Sequence, residues 1–426
     1  MYAVLIDPTT PSPNFPPPAP DTVRGVLGGV IDPELGASIV ELGMVDDVRV
    51  ADDGHVTVKV VLTTAGCPLR AQIKRDVESK VTGLPGVTGI KVEYGEMTQE
   101  QKSAAMGRAR FNARAQAAPT EVPATTRVLA VASGKGGVGK SSVTVNLAAA
   151  LAARGLTVGV LDADIWGFSV PRMLGVEGRL GGEDGKITPH VVAVPGLLGG
   201  KDGLGGKDGL GGKDGLGGRD GLGGDGGLLK VVSMGFLVDD EGTALMWRGL
   251  ILTKALEQFL TDVRWGPMDY LLIDMPPGTG DVQMGLARML PQAEMLVVTT
   301  PALAAQKVAV RVADMARRSY MNVVGVVENM SELVLPDGTR HTVFGSGGGE
   351  ALAQAVSAPL VARIPLEAAV SAGGDAGRPV VLDDPDGEAG RAFTRLAARV
   401  VEELLPPVEL SGCSARLLDL VAQLDD

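Results

Sequence analysis

The sequence predicts an α/β protein in which a parallel, doubly wound sheet follows a smaller α/β domain. Five apolar runs without polar alternation are typical of strands buried on both faces, at 128–132, 157–161, 270–273, 295–299 and 323–327. Helical windows separate these runs, which indicates βαβ crossovers. Aromatic residues make up only 3% of the chain, so Ala, Val, Leu and Ile must fill the interior.

Three segments are expected ahead of this sheet. Residues 1–20 are rich in proline and are predicted to be a disordered or polyproline II tail. Residues 21–95 are predicted to form a small α/β domain, and 96–126 a helical or flexible linker. The elements expected in the small domain are a helix over 22–31, a hairpin of 45–50 and 55–62, a helix over 69–81 and a strand at 89–93.

The parallel sheet is expected to occupy residues 127–405, followed by a C-terminal tail at 406–426. Residues 199–228 interrupt it with five variations of the unit Gly-Gly-Lys-Asp-Gly-Leu. One Leu in each unit buries too little apolar surface to offset the backbone entropy lost on ordering. Calcium-binding β-rolls use a repeat of about nine residues. We therefore expect a flexible insertion without a function of its own.

A phosphate-binding loop follows the first strand of the sheet. Residues 134–141 fit the pattern G-x-x-x-x-G-K-[ST] and lead directly into a helical window. Lys140 is expected to reach the β- and γ-phosphates of ATP, and the Ser141 hydroxyl to ligate Mg²⁺. The residues predicted to bind the nucleotide are Gly134, Lys135, Gly136, Gly137, Val138, Gly139, Lys140, Ser141 and Ser142.

Acidic residues follow two further strands, at the sheet edge where open α/β sheets bind ligands. Asp274 ends the run 270–273 and is predicted to hold Mg²⁺, usually through water. Asp162 and Asp164 follow the run 157–161; Asp162 is expected to support the metal and the loop, and capping of the next segment is the alternative role for either. Residues 275–281 combine Pro-Pro with two glycines, which favours a switch loop that reports nucleotide state.

Lys135 adds a second lysine that an ordinary phosphate loop does not need. With it, the loop resembles the deviant Walker A ATPases: the nitrogenase iron protein, the septum-placement and plasmid-partition ATPases, and the Mrp/ApbC iron–sulfur carriers. The resemblance implies that Lys135 reaches across a homodimer interface to the second nucleotide and that Asp164 positions the attacking water. Lys135, Lys140 and Asp164 are then the catalytic residues. The alternative for Lys135 is a solvated side chain at the edge of the loop.

The resemblance narrows to the Mrp/ApbC carriers through blocks spread over 127–331. The most specific blocks are Pro-Pro-Gly-Thr-Gly-Asp at 276–281 and Glu-Asn-Met-Ser at 328–331. Residues 32–35, 42–45 and 62–69 are similar to the iron–sulfur assembly domain often fused ahead of bacterial members. The family implies an ATP-hydrolysing homodimer that carries a cluster, with [4Fe–4S] as the candidate, to apoprotein clients. It also implies that Asn329 lies beside the adenine base.

The residues after Glu-Asn-Met-Ser depart from this family. Its members usually carry Cys-x-x-Cys there, and two such pairs hold a cluster between subunits, whereas this chain has Leu335 and Gly338. Neither side chain can ligate iron, which clusters bind through cysteine. Cys67, within the assembly motif, is the candidate iron–sulfur ligand, and its alternative role is a nucleophile. Cys67 and Cys413 of two chains together offer four thiolates.

Charge and composition restrict the function further. The net charge of −12 argues against a nucleic-acid partner. No uncharged run is long enough to span a membrane, and the proline-rich start lacks the features of a signal peptide, so we expect a cytoplasmic protein without a membrane partner. Three functions stay open: a cluster carrier, an ATP-dependent scaffold or chaperone for iron–sulfur enzymes without its own cluster, and a positioning or partition ATPase.

Overall fold

A computed structural model describes residues 15–408, apart from 33–34, 36, 64–68, 117–118, 165–166, 197–225, 238–248, 279–280, 319–320 and 336. The chain divides into two compact units, Met1–Gln116 and Ala117–Asp426. Cys67, Cys413, most of the proline-rich tail and nearly all of the glycine-rich repeat lie outside the described residues.

The first unit contains a three-stranded sheet and the described helices α1 (Pro20–Leu27), α2 (Arg70–Thr82) and α3 (Gln99–Gln116). Strand β1 (Val45–Val50) pairs antiparallel with β2 (His55–Leu62), which pairs parallel with β3 (Gly89–Glu96). The predicted hairpin, second helix and last strand are all present. The helix predicted over 22–31 ends earlier, at Leu27, because Gly28 and Gly29 follow and glycine disfavours helix.

Helix α3 lies in the segment that the sequence assigns to a linker, 96–126, and belongs to the first unit. Arg108 Nη1 donates to the Glu41 carbonyl at 3.1 Å, and Asn112 Nδ2 donates to Glu41 Oε2 at 3.3 Å. Ala105 and Ala109, one turn apart on the same helix, are buried, but the sequence shows no longer apolar stripe. Composition alone therefore could not show that the helix packs on the small domain.

The second unit is built on one large sheet. Its described parallel strands are β4 (Arg127–Ser133), β5 (Thr157–Asp162), β9 (Gly227–Ser233), β10 (Tyr270–Asp274), β11 (Glu294–Thr299), β12 (Asn322–Val334) and β14 (Leu360–Leu366). Two antiparallel strands, β8 (His190–Val194) and β13 (Arg340–His341), pair with β9 and β12. The spatial order is β13-β12-β11-β4-β10-β5-β9-β8, and β14 also pairs with β12. The predicted parallel fold and its five buried strands are confirmed.

Helices cover both faces of this sheet, which explains why its strands are apolar without alternation. Leu129 and Val131 of β4 face a core that includes Val143 and Phe393, whereas Ala130 faces a second core. The first core contains α4 (Lys140–Ala152), α5 (Val170–Met173), α11 (Val380–Asp383) and α12 (Glu388–Arg399). The second contains α6 (Gly249–Thr261), α7 (Asp281–Met289), α8 (Leu303–Arg318) and α9 (Gly348–Val356).

The described part of the second unit also contains smaller elements. Strands β6 (Gly181–Glu183) and β7 (Lys186–Thr188) form a separate hairpin, and α10 (Ala368–Asp375) follows β14. Within the described ranges, no helix is long and apolar enough to cross a bilayer.

The glycine-rich repeat connects β8 to β9 at the amino edge of the sheet. Val194 at the end of β8 pairs with Gly227 at the start of β9, so the two ends of the connection lie side by side. Strand β9 then runs to Ser233, which pairs with Asp162 at the opposite edge. Gly227 and Leu228 belong to β9, so the predicted insertion 199–228 extends into the strand by two residues.

Deletion of residues 198–225 should leave the fold and nucleotide turnover intact. The deletion leaves four residues, 195–197 and 226, between strands that already pair, which is an ordinary hairpin length. The shorter loop should raise the free energy of unfolding by up to about 2 kcal/mol through its lower closure entropy. Chemical denaturation and phosphate release measure the two effects. A large loss of stability or turnover would show that the repeat packs or signals.

Candidate functional site

The phosphate loop lies at the carboxyl edge of the sheet, between β4 and α4. Gly137 and Gly139 have φ angles of +78° and +77°, the left-handed conformation that glycine adopts without strain. Gly139 directly precedes α4, so the loop turns sharply into the N-terminus of that helix. A helix N-terminus presents unpaired N–H groups and a positive dipole end to an anion.

A cavity of about 620 Å³ opens in front of this loop. Gly136, Gly137, Lys140 and Ser141 line one side of the cavity. Further lining residues lie at the end of β14, directly after it or in α10: Pro365, Leu366, Glu367, Val370, Ser371 and Asp375. Pockets for small-molecule ligands are typically about 300–1,000 Å³ in volume, so the cavity has the size that a nucleotide requires.

Lys140 and Asp274 form the central ion pair of the site. Lys140 Nζ lies 2.7 Å from Asp274 Oδ2, and the side chains are 6% and 0% exposed. Ser141 Oγ donates to Asp274 Oδ2 at 2.6 Å, and Thr144 Oγ1 donates to Asp274 Oδ1 at 2.8 Å. The carboxylate at the end of β10 thus contacts three side chains from the first turns of α4. The structure brings together the residues predicted to bind phosphate and Mg²⁺.

Asp162 is buried and holds the segment that carries Asp164. Its carboxylate accepts hydrogen bonds from the backbone N–H groups of Asp164, Ser169 and Val170, each at 3.2 Å, and from Ser233 Oγ at 3.1 Å. The pKa of Asp162 is raised to about 7, mainly by burial and in part by the Asp274 carboxylate, while the Lys140 ammonium opposes the shift. This geometry favours the predicted loop-supporting role over direct contact with a ligand.

Asp164 faces the cavity. Its Oδ2 lies 3.7 Å from Lys140 Nζ, and the residue is 9% exposed. Burial raises the pKa of Asp164, while the Lys140 ammonium opposes that shift. A carboxylate beside the phosphate-binding lysine is in a position to orient water, although its catalytic role stays a prediction.

The segment after β10, which the sequence predicts to be a switch loop, returns along the end of β4. Met275 N donates to the Val131 carbonyl and Gly278 N to the Ser133 carbonyl, both at 3.0 Å. Gln283 Nε2 donates to the Pro276 carbonyl at 3.3 Å and also to the Gly278 carbonyl. Residues 279 and 280 lie outside the described part of the chain.

Lys135 and Asn329 differ in their exposure to solvent. The Lys135 side chain is exposed, and its carbonyl accepts a hydrogen bond from Ser133 Oγ at 3.0 Å. Asn329 is buried at the loop, where its Nδ2 donates to the Val138 carbonyl at 2.9 Å. Both residues line the cavity, and the roles of Lys135 across a dimer and of Asn329 beside adenine stay predictions.

Sequence reasoning missed three residues of this site: Thr144, Ser233 and Gln283. Thr144 lies three residues after Ser141 on the same face of α4, and this spacing is a signal that could have identified it. Ser233 and Gln283 follow no motif. Ser233 reaches Asp162 only because β9 pairs with β5 in the register that brings them together.

Leu335 and Gly338, where the family resemblance implies cysteines, lie between β12 and β13. Leu335 N donates to the Thr339 carbonyl at 2.9 Å, and Gly338 N donates to the Leu335 carbonyl at 2.8 Å. Gly338 has a φ of +83°. In the described part of the chain, no group of three or more His, Cys, Asp or Glu side chains is arranged to hold a metal ion. This turn offers iron no thiolate.

The phosphate loop lies at the carboxyl edge of a doubly wound sheet. Its lysine and serine contact Asp274, the acid that ends the neighbouring strand β10. This arrangement defines a P-loop NTPase. Residues 124–197 and 225–401 match the family described as NUBPL iron-transfer P-loop NTPase. Residues 20–93 match the family described as iron–sulfur cluster assembly protein. The chain belongs to the iron–sulfur cluster carrier family of P-loop NTPases.

Relatives support this placement over most of the chain. The iron–sulfur cluster carrier protein of Mycobacterium tuberculosis H37Rv is 44% identical over 382 residues, which cover 88% of this chain and 91% of that protein. The protein of the same name from Synechocystis is 38% identical over 89% of this chain and 96% of its own length. Among solved structures, a nucleotide-binding protein from Archaeoglobus fulgidus in complex with ADP is 30% identical, covers 63% of this chain and 91% of its own, and gives a TM-score of 0.45.

Replacement of Lys140 by alanine should abolish nucleotide turnover. The change removes the charge expected at the β- and γ-phosphates, so phosphate release should fall by about a hundredfold or more. It also leaves buried Asp274 without its cation, so the free energy of unfolding of the ligand-free protein should fall by about 3 kcal/mol.

Phosphate release and chemical denaturation measure these effects, with Lys230→Ala as the matched control. Lys230 Nζ is also partly buried, but it caps the Trp265 and Pro267 carbonyls at the amino edge of the sheet. Unchanged turnover in folded Lys140→Ala would contradict the phosphate-loop assignment.

Proposed function

We propose that this protein is an ATPase that works as a homodimer, binds an iron–sulfur cluster and transfers it to apoprotein clients. The observation that carries the proposal is the meeting of Lys140, Ser141 and Asp274 at the phosphate loop of a chain that belongs to the carrier family. ATP is the substrate, Mg²⁺ the cofactor and the cluster the cargo.

Binding of ATP requires an exchange of partners at the ion pair. Lys140 now contacts Asp274, and in the nucleotide complex its ammonium would turn to the β- and γ-phosphates. That exchange releases the Asp274 carboxylate, which together with Ser141 Oγ provides the oxygen donors that Mg²⁺ prefers. When bound, Mg²⁺ supplies positive charge that stabilises the transferring phosphoryl group.

Hydrolysis requires a positioned water and additional positive charge. Asp164 lies at the cavity within 3.7 Å of Lys140 Nζ, which supports its role in orienting the water that attacks the γ-phosphorus. Lys135 is exposed at the mouth of the same loop, as a residue must be if it is to reach the nucleotide of a second subunit. The segment 275–278, bonded to β4, would then couple hydrolysis to release of the dimer.

The cargo site must differ from the usual one of the family. Leu335 and Gly338 cannot ligate iron, so the turn between β12 and β13 does not fit a cluster. Cys67 lies in the segment matched to the assembly family, and it is the proposed ligand. Two chains supply two such thiolates; Cys413 or a client would supply the rest of the coordination.

The loss of the cysteine pair also favours a second candidate function. An ATP-dependent scaffold or chaperone would use the same nucleotide cycle on an iron–sulfur enzyme without carrying a cluster. Its nucleotide site would be identical, so only the cargo distinguishes it from a carrier.

Replacement of Lys135 by alanine should separate nucleotide binding from dimerisation. ATP affinity of the monomer should stay within about twofold, since the Lys135 side chain is exposed and its carbonyl contact is kept. Dimerisation with a non-hydrolysable ATP analogue should weaken by about tenfold or more, the loss expected for a charged hydrogen bond. Analytical ultracentrifugation measures this change, with Lys186→Ala at the amino edge as control. An unchanged dimer and unchanged turnover would refute the intersubunit role.

Anaerobic reconstitution of Cys67→Ser tests the cargo site. The parent should bind a labile cluster at less than one per dimer, because a single thiolate from each chain cannot complete the coordination of a cluster. Cys67→Ser should bind none, whereas Cys413→Ser, the matched control, should retain part of the iron and sulfide. Iron and sulfide quantification with an absorbance spectrum gives the result.

Two other results would change the assignment. Equal iron and sulfide in the parent and in Cys67→Ser would exclude Cys67 as a required ligand. A parent that binds no cluster under strict anaerobiosis, but hydrolyses ATP, would favour the scaffold.

A further inference from the structure

The Glu-Asn-Met-Ser segment of β12 connects the cavity to three neighbouring elements. Glu328 Oε2 accepts a hydrogen bond from Gly349 N in α9 at 2.6 Å. Ser331 Oγ donates to the Ile364 carbonyl of β14 at 3.1 Å. Asn329, between these two anchors, donates through Nδ2 to the Val138 carbonyl of the phosphate loop at 2.9 Å. Three of the four side chains at 328–331 thus contact three different elements: α9, the phosphate loop and β14.

The backbone next to Asn329 has an unusual conformation, and its neighbours on both sides are anchored. Met330 has a φ of +54°, which side chains other than glycine adopt at a cost. The pairing of β12 with β14 shifts register between Asn329 and Leu333, as expected of a bulge at Met330. Both anchors and Asn329 itself are buried. The amide is therefore held in place before any ligand binds.

The hydrogen bond from Asn329 to the Val138 carbonyl orients one peptide of the phosphate loop. A trans peptide is planar, so its N–H points away from its carbonyl. Because Asn329 holds the Val138 carbonyl on one side, the N–H of Gly139 in the same peptide is directed to the other. Successive N–H groups directed inward form an anion-binding nest, and a carbonyl turned inward would repel phosphate. Gly139 lines the cavity, and a Cβ there would overlap Asn329 Nδ2.

We propose that Asn329 is a positioning residue for the phosphate loop, so that it contributes to binding of the phosphate chain independently of any base. The proposal rests on the nucleotide site proposed above and deepens it. It differs from the adenine contact that the family resemblance implies, because it predicts an effect on ligands that have no base.

Inorganic tripolyphosphate is the probe that separates the two roles. Binding of Mg-ATP and of Mg-tripolyphosphate to the full chain is measured by calorimetry, or by displacement of a fluorescent ATP analogue. Asn329→Ala should weaken both ligands by the same factor, about three- to tenfold, the range expected for one buried hydrogen bond. Thr126→Ala is the matched control, since it removes a buried bond from a side chain to a carbonyl, Thr126 Oγ1 to Met268 at 3.0 Å, that touches neither the loop nor β12.

Two further variants keep the test independent of folding defects. Asn329→Asp keeps the volume but places a carboxylate oxygen against the Val138 carbonyl, so its loss of tripolyphosphate affinity should be at least as large. Gly139→Ala should lose less affinity in an Asn329→Ala background than in the parent, because the overlap with the amide is gone. Thermal denaturation confirms that each variant is folded.

Three results would overturn the proposal. The first is a loss of ATP affinity in Asn329→Ala with unchanged tripolyphosphate affinity, which would assign the residue to the base. The second is equal affinities in parent and variant. The third is a parent that binds ATP but not tripolyphosphate, because the loop would then not be a preformed anion site. A parent that binds neither ligand would instead contradict the proposed function.

Discussion

The buried contact between Lys140 and Asp274 organises the carboxyl edge of the sheet. A carboxylate that is 0% exposed requires a cation and hydrogen-bond donors, because an unpaired charge in the interior is unfavourable. Helix α4 supplies all three groups: the Lys140 ammonium and the Ser141 and Thr144 hydroxyls. The first turns of α4 are thereby held at the end of β10. The same atoms are the ones that a nucleotide and its metal would engage.

The site around this ion pair has more negative than positive charge. Asp162 and Asp164 lie close to the buried Lys140 ammonium, and burial raises the pKa of each carboxyl. Such a site favours cations, and P-loop enzymes add positive charge through Mg²⁺ and further basic residues. Asp162 has a structural role. Its carboxylate accepts hydrogen bonds from Ser169, Val170 and Ser233, which fix the segment in front of α5.

The segment after β12 departs from the pattern that the family resemblance implies for this chain. Its second unit keeps the nucleotide site and the Glu-Asn-Met-Ser segment, but the turn that follows β12 carries Leu335 and Gly338. This turn therefore offers no thiolate to iron. Asn329 lies six residues before Leu335, so the end of β12 joins the residue that contacts the phosphate loop to this turn.

The sequence by itself determined the parallel sheet and the phosphate loop, because both depend on local patterns. Strands buried on both faces must be apolar, and a loop that bends around phosphate needs glycines such as Gly137 and Gly139 at positive φ. Only the tertiary structure decided which residues support the site. Ser233 meets Asp162 through strand register, Asn329 reaches Val138 from 191 positions away, and Arg108 of α3 bonds to the Glu41 carbonyl. These contacts join residues that are distant in the chain, and no local pattern encodes such a pairing.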